Sequence, residues 1–274
     1  MKALRVGFVG VGRMGSVMLQ CVLDAGYPSV LCDPLPAATE PFAAKYPELV
    51  RVAATPRDAA SGRDVISVVV NTNEQLLEAC LGADGLLAGA EAGSSVLIHS
   101  TVSHETLKRL AKVAAERGVH LLDAPVSGAR GHLSIPNLAV MVGGDAEAFA
   151  RAKPVMDTYG SLVLHLGPQG AGLDAKLSIN ALRYVVMSVS QEVSRLAESA
   201  GVGDALAQLV AHTESNRFVG NLSRLQQTPA EYRRKDAELA QKDLRAAIAR
   251  ANELGVQLST AELAVGLMHR VWGV

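Results

Sequence analysis

Along the first 165 residues, short apolar runs alternate with helix-length amphipathic stretches. The runs at 4–9, 29–32, 65–70, 95–98 and 119–122 are rich in Val, Ile and Leu and bounded by Gly, Asp, Asn or Ser. Continuous apolar runs of this length suit strands buried on both faces, as in a parallel sheet. Helical periodicity fills the gaps, most clearly at 13–25 and 103–117. Repeated strand–helix–strand units predict a doubly wound parallel α/β sheet. Two further strands, 138–142 and 162–165, flank a helix from about 145 to 158. Beyond Gly167 the pattern changes to long amphipathic helices, at about 172–200, 204–212, 235–254 and 260–272. The Gly/Pro-rich joint Gly-Pro-Gln-Gly-Ala-Gly therefore divides an α/β domain, 1–166, from an all-helical domain, 167–274.

The first strand runs into Gly10-Val11-Gly12-Arg13-Met14-Gly15, a GxGxxG motif that opens a helix. Gly10 permits the tight turn, Gly12 lets the backbone approach a pyrophosphate, and Gly15 allows close helix–strand packing. The diphosphate would meet the free N–H groups of the helix N-terminus. A GxGxxG alone is often just a turn; here strand, helix and a correctly spaced acid occur together, predicting a Rossmann-like dinucleotide site. The acid is Asp33, at the end of the second strand. Its carboxylate can accept both ribose hydroxyls and would repel a 2′-phosphate, which favours NAD over NADP. As a bland alternative, Asp33 is a turn residue before Pro34.

Open α/β sheets bind ligands beyond the carboxyl ends of their strands. That rim carries Gly10, Asp33, Asn71 and Thr101, together with the loop Asp123-Ala-Pro-Val-Ser127-Gly128. A hydroxyl beside a glycine N–H makes a compact pocket for a small carboxylate. Past the joint, Gly170-Ala-Gly172-Leu-Asp-Ala-Lys176-Leu-Ser-Ile-Asn180 puts Lys176 and Asn180 four residues apart on one helix face. A helical lysine is ordinarily a solvated surface residue. The glycine pair and the place beside a domain joint instead suit a lysine desolvated enough to act as acid or base.

Composition narrows the classes. Hydrophobic residues make up 49% and charged residues 19% of 274, which fits a folded globular chain. Net charge is −1 and aromatics are 4%, so neither a phosphate-neutralising excess nor base-stacking platforms point to nucleic acid. Cys21, Cys32 and Cys80 are odd in number and lack CxxC spacing, and the seven histidines lack ligand spacing. No metal site or disulfide framework is indicated, and a cytoplasmic protein is expected. No GxSxG suggests a hydrolase. No apolar stretch reaches membrane length, and the N-terminus lacks a signal-peptide core.

With these motifs in place, the sequence resembles the β-hydroxyacid dehydrogenase family, which includes 3-hydroxyisobutyrate dehydrogenase, over nearly its whole length. The glycines at 10, 12 and 15 match the family's cofactor signature, and residues 123–128 its substrate-binding motif. The segment around Lys176 matches its catalytic motif. The resemblance implies a catalytic Lys176, substrate contacts from Ser127, Gly128 and Asn180, and a Thr101 near the nicotinamide. Lys242, in a Lys-Asp-Leu segment, would approach the cofactor. Val70-Asn71 stands where family members often carry Leu-Pro or a similar pair, on the cofactor side.

The implied protein is a homodimer or homotetramer moving a hydride between NAD and a small hydroxyacid. Alternatives are a semialdehyde or imine reductase on the same scaffold, or a non-catalytic nicotinamide-binding protein. Lys176 argues against an imine reductase, since such relatives generally lack it. Departures concentrate beside the substrate motif: Ala129 replaces a second glycine, and Arg130 and His132 make the loop cationic. Either of these could recognise a second anionic or polar group on the substrate.

Overall fold

A computed structural model describes residues 4–128, 137–199, 201–211, 229–255 and 257–274. The chain divides into two compact units, Met1–Lys176 and Leu177–Val274. The first is built on a nine-stranded sheet ordered β3-β2-β1-β4-β5-β6-β8-β7, with β9 paired to β8. Its strands are β1 Val6–Val9, β2 Ser29–Cys32, β3 Val50–Val52, β4 Val65–Val68 and β5 Ser95–Ile98. Then come β6 His120–Asp123, β7 Val126–Ser127, β8 Leu138–Gly143 and β9 Gly160–Gly167. Strands β1, β2, β4 and β5 are buried at every position, because helices cover both faces. Strand order reverses between β2–β1 and β1–β4, and this is the switch point where a ligand crevice forms.

The helices of this unit are α1 Arg13–Asp24, α2 Pro36–Lys45, α3 Pro56–Ala60, α4 Asn73–Leu81, α5 Leu86–Gly89, α6 His104–Glu116 and α7 Ala146–Met156. Several start where a side chain captures a first-turn amide. Thr55, Thr72, Ser103 and Asp145 accept from the N–H groups of Asp58, Gln75, Thr106 and Ala148. Such caps satisfy donors that the helix cannot pair internally, each worth about 1 kcal/mol.

The structure departs from the sequence pattern in two respects. Strands β3 and β7 lie in segments where no strand is expected, and the gaps on either side of β4 each hold two short helices, α2 with α3 and α4 with α5, whose bounds the pattern does not mark. They are short, and α2 has apolar residues with almost no sidedness, so periodicity carries little signal there. The sheet is also not wholly parallel: β8 runs antiparallel to β6 (Asp123↔Gly143) and to β7 (Val126↔Val140), while β9 runs parallel to β8. A parallel partner needs a crossover of a dozen or more residues, and the ten-residue return from β7 to β8 is too short for one.

The long helix α8, Ala171–Ser199, leaves the joint directly and carries the chain into the second unit. Helices α9 Gly203–Ala211, α10 Ala230–Glu253 and α11 Ser259–Trp272 follow. Position 212, the expected end of α9, lies outside the described residues. Helix α10 begins five residues earlier than its apolar spacing suggests, since Glu231, Arg233 and Arg234 are charged and Tyr232 is exposed. The core of this unit joins Tyr184 and Met187 of α8 with Ala237, Ala240 and Leu244 of α10 and Ala261, Ala264, Met268 and Trp272 of α11. Alanines at the contact let α10 and α11 pack closely.

Candidate active site

The glycine loop leaves β1 with the geometry its residues require. Gly10 has φ +90°, and a Cβ there would lie 2.2 Å from the Val69 carbonyl oxygen. A Cβ on Gly15 would lie 2.1 Å from the Gly10 oxygen, so α1 packs against the turn as only glycine allows. Gly12 differs: nothing stands within 4 Å of where its side chain would be. It is the N-cap of α1 with no side-chain cap, and the first turn has no acidic residue. Open space before uncapped first-turn amides fits a diphosphate. Val11 is buried, whereas Arg13 is exposed and Met14 half-buried beside it.

Asp33 closes the loop. Its Oδ2 accepts from the Val11 N–H at 2.7 Å and its Oδ1 from the Leu35 N–H at 2.9 Å. A carboxylate offers about four acceptor directions, so these two bonds leave capacity for ribose hydroxyls. The turn reading and the cofactor reading of Asp33 are therefore compatible.

Next along the rim, the exits of β4 and β5 are stitched together. Ser100 Oγ donates to the Val70 carbonyl at 2.7 Å and accepts the Val70 N–H at 3.1 Å. The Ser103 N–H donates to Asn73 Oδ1 at 2.9 Å, and the Asn71 N–H to Gln75 Oε1 at 2.9 Å. Val70, Asn71 and Thr101 thus sit on loops with fixed backbones, Asn71 exposed and the other two half-buried.

Beyond β6, Ser127 pairs with Ala139 across β7–β8. A Cβ on Gly128 would come within 2.6 Å of Leu138 Cδ2, so the loop passes closely over β8. Ala129, Arg130 and His132 lie outside the described residues.

Asp123, at the end of β6, does something its motif alone does not reveal. It is 2% exposed, and its carboxylate accepts from the Gly170 N–H at 2.7 Å and the Leu173 N–H at 2.8 Å. It therefore caps the start of α8 from a distant strand. Burial drives its pKa above the ordinary carboxylate value, and the bonds from Gly170, Leu173 and Gly172 oppose that shift. Gly172 makes the seat possible, because a Cβ there would lie 2.2 Å from the Met141 oxygen and 2.9 Å from the Asp123 oxygen. His104 Nε2 meets Asp174 Oδ1 at 2.8 Å, tying the start of α6 to the same turn. Lys176 follows two residues later and is 9% exposed.

One turn on, Asn180 is 2% exposed. Its Nδ2 donates to Asp243 Oδ2 at 2.8 Å, within the helical unit. Since a carboxylate only accepts, this bond fixes the amide orientation, and Asn180 Oδ1 is a buried acceptor without a hydrogen-bond partner among the described residues. Lys242 Nζ lies 3.2 Å from Asp243 Oδ1, so the lysine of the Lys-Asp-Leu segment is ion-paired to the residue that holds Asn180.

Four supporting residues, Asp123, His104, Asp174 and Asp243, were not singled out by spacing. Each acts through a partner distant in sequence, which short-range patterns do not encode.

Among the described residues no cluster of His, Cys, Asp and Glu could hold a metal ion, and no helix is long and apolar enough to cross a membrane.

Residues 5–167 match the family model described as the NAD binding domain of 6-phosphogluconate dehydrogenase. An uncharacterised oxidoreductase of Mycobacterium tuberculosis is 34% identical over 282 residues, covering 98% of this chain and 94% of its own. An NAD-dependent L-serine dehydrogenase of Pseudomonas aeruginosa is 34% identical, over 78% of this chain and 71% of that one. Among solved structures, a Mycobacterium tuberculosis 3-hydroxyisobutyrate dehydrogenase with L-serine superposes with TM-score 0.81 at 26% identity, covering 98% of this chain and 93% of that one.

Proposed function

The chain belongs to the β-hydroxyacid dehydrogenase family of NAD-dependent oxidoreductases, and we propose that it oxidises a small β-hydroxyacid with Lys176 as the general acid–base. The observation that carries this reading is the lysine's setting. Lys176 is nearly buried, its helix start is held by Asp123 and Gly172, and Asn180 follows one turn later with an unpartnered amide oxygen. An unpartnered buried acceptor costs about 1–3 kcal/mol, which suits a group that is satisfied when substrate binds.

In this reading the cofactor is held through Gly10, Val11, Gly12, Arg13, Met14, Asp33, Val70, Asn71 and Thr101, with Lys242 as a further cofactor contact. Bound NAD supplies the hydride acceptor. Ser127 and the Gly128 N–H bind the substrate carboxylate. Asn180 orients the carbinol and leaves its single hydroxyl proton to Lys176. Neutral Lys176 Nζ takes the hydroxyl proton as the carbon–hydrogen bond breaks. In the reverse direction the ammonium returns that proton to the forming alkoxide. Acid–base assistance of this kind is worth about 10²–10⁴ in rate. Arg130 or His132 recognises a second polar or anionic group, which sets the substrate within the class. The helical domain also mediates homo-oligomerisation, since Ile179, Leu182, Val189 and Val193 leave one face of α8 apolar and exposed.

The test is NAD reduction with 3-hydroxyisobutyrate, serine, 3-hydroxypropionate, glycerate and threonate. Wild type should reduce NAD with at least one of these acids. Lys176→Ala should fold and bind NAD, yet fall by at least a hundredfold in turnover. Retained turnover in that variant removes Lys176 from the role of base, and equal specificity in Arg130→Ala and His132→Ala removes the loop from selectivity.

A further inference from the structure

His99 immediately precedes the Ser100–Thr101 pair, and it has no part in the chemistry above. It is 4% exposed, at the carboxyl end of β5. The last ladder bond between the β5 and β6 exits is the Ala124 N–H to the Ile98 carbonyl, at 2.8 Å. Past that point the connection passes to a side chain: His99 Nδ1 lies 2.7 Å from the Ala124 carbonyl oxygen. A carbonyl only accepts, so Nδ1 carries the proton and Nε2 presents a lone pair. Two hydroxyls face that lone pair, Tyr159 at 3.3 Å and Ser67 Oγ at 3.4 Å. The Tyr159 ring meets the imidazole edge-on, with centroids 5.7 Å apart. Tyr159 is 1% exposed and Ser67 is fully buried on β4.

This network spans the sheet directly beneath the rim. The His99 N–H donates to the Val68 carbonyl at 3.0 Å, on the β4 side. Its neighbour Ser100 holds Val70 through both backbone groups. One dipeptide therefore clamps three loop exits: 69–71, 100–101 and 124–128. The first two face the cofactor, and the third carries Ser127 and Gly128. Burial keeps the imidazole neutral, with its pKa lowered to about 4. It stays a one-donor, one-acceptor clamp throughout the working pH range.

We propose that His99 is a positioning residue. Its Nδ1–H bond to the Ala124 carbonyl, which fixes the tautomer and turns Nε2 to the Tyr159 and Ser67 hydroxyls, sets the distance between the loop at 100–101 and the loop at 124–128. The assignment of those loops to nicotinamide and substrate rests on the function proposed above. The clamp sits under the reacting end of the site and far in sequence from the glycine loop. Losing it should loosen the nicotinamide and substrate ends while leaving the adenine end unchanged. Displacements of about 1 Å near reacting groups cost on the order of a hundredfold in rate.

The experiment compares His99→Asn with His99→Gln. Asparagine places its amide nitrogen on Cγ, where Nδ1 was, whereas glutamine places it one atom further out. Binding of NADH and of ADP-ribose, which lacks nicotinamide, is measured by calorimetry, and hydroxyacid oxidation by absorbance at 340 nm. His99→Gln should lose about tenfold in the affinity ratio of NADH to ADP-ribose and about tenfold or more in kcat/KM. ADP-ribose affinity should stay within twofold, and His99→Asn should keep wild-type values within a few fold.

An unchanged ratio in His99→Gln overturns the proposal. So does a loss of ADP-ribose binding equal to that of NADH, which marks a merely structural residue, and so does equal damage in both variants. If neither variant folds, Tyr159→Phe decides, because it keeps the ring and removes one hydroxyl from Nε2. A ratio lowered several-fold supports the clamp, and an unchanged ratio overturns it. A wild type without hydroxyacid activity, but with the expected binding ratios, refutes the proposed function and leaves the clamp standing.

Discussion

Gly172→Ala should separate stability from activity. A Cβ at this position would lie 2.2 Å from the Met141 carbonyl oxygen and 2.9 Å from that of Asp123, both backbone atoms. An ordinary carbon–oxygen contact is wider by about 1 Å, so the first turn of α8 must lift by that amount from the strand ends. Overpacking of this kind costs about 1–3 kcal/mol. Alanine returns about 1 kcal/mol through its higher helix propensity. The net loss should be at most about 2 kcal/mol, lowering Tm by at most about 8 °C at roughly 2–4 °C per kcal/mol.

Lys176 lies four residues along the same helix and moves with it. A 1 Å misplacement of a reacting group lowers turnover by on the order of a hundredfold. The variant should therefore melt within about 8 °C of wild type, bind NAD normally and turn over about a hundred times more slowly. Thermal unfolding by circular dichroism and NAD reduction at 340 nm read the two quantities separately. Gly266→Ala serves as the control, because nothing lies within 4 Å of its would-be Cβ in α11 and it should gain slightly in stability. Wild-type turnover in Gly172→Ala would refute the argument that the seat of α8 positions Lys176.

Two further outcomes follow from the same geometry. Gly10→Ala combines φ +90° with a 2.2 Å approach to the Val69 oxygen, so it should abolish measurable NAD binding and lower stability by about 2 kcal/mol or more; calorimetry with NAD checks this, and wild-type affinity would count against the loop's role. The pH dependence turns on His99, which burial holds at about 4 in the folded chain against 6.5 when unfolded. The unfolded state therefore binds the extra proton first, and the stability present above pH 6.5 is lost as pH falls toward 4, by about 3 kcal/mol in total. Melting curves across this range should show that slope in wild type and a shallower one in His99→Asn.

Much of the scaffold was legible from residue order. Apolar runs of four to six residues marked β1, β2, β4, β5 and β6, and the change to helical periodicity after Gly167 marked the second half of the chain. The glycine loop was legible for a similar reason. A tight turn, an open approach and a close helix packing each demand a residue without Cβ, and the sequence supplies glycine at 10, 12 and 15. Lys176 and Asn180 were also visible, because a four-residue interval on a helix is a local fact.

Strands β3 and β7 and the bounds of α2 to α5 escaped because two to ten residues carry too little periodicity to register. The reversal of β8 followed from the ten-residue return out of β7, a constraint that operates only once both strands are known to share a sheet.

The supporting contacts belong to tertiary structure alone. His99 reaches Ala124 across 25 residues, Asp123 reaches Gly170 across 47, and Asn180 reaches Asp243 across 63. Composition and spacing name the groups that can do chemistry, because backbone conformation and helix faces are local properties. Which buried donor meets which buried acceptor is decided by desolvation. Each polar group taken from water must find a partner wherever the fold brings one, and that position is fixed only when distant strands and helices have packed.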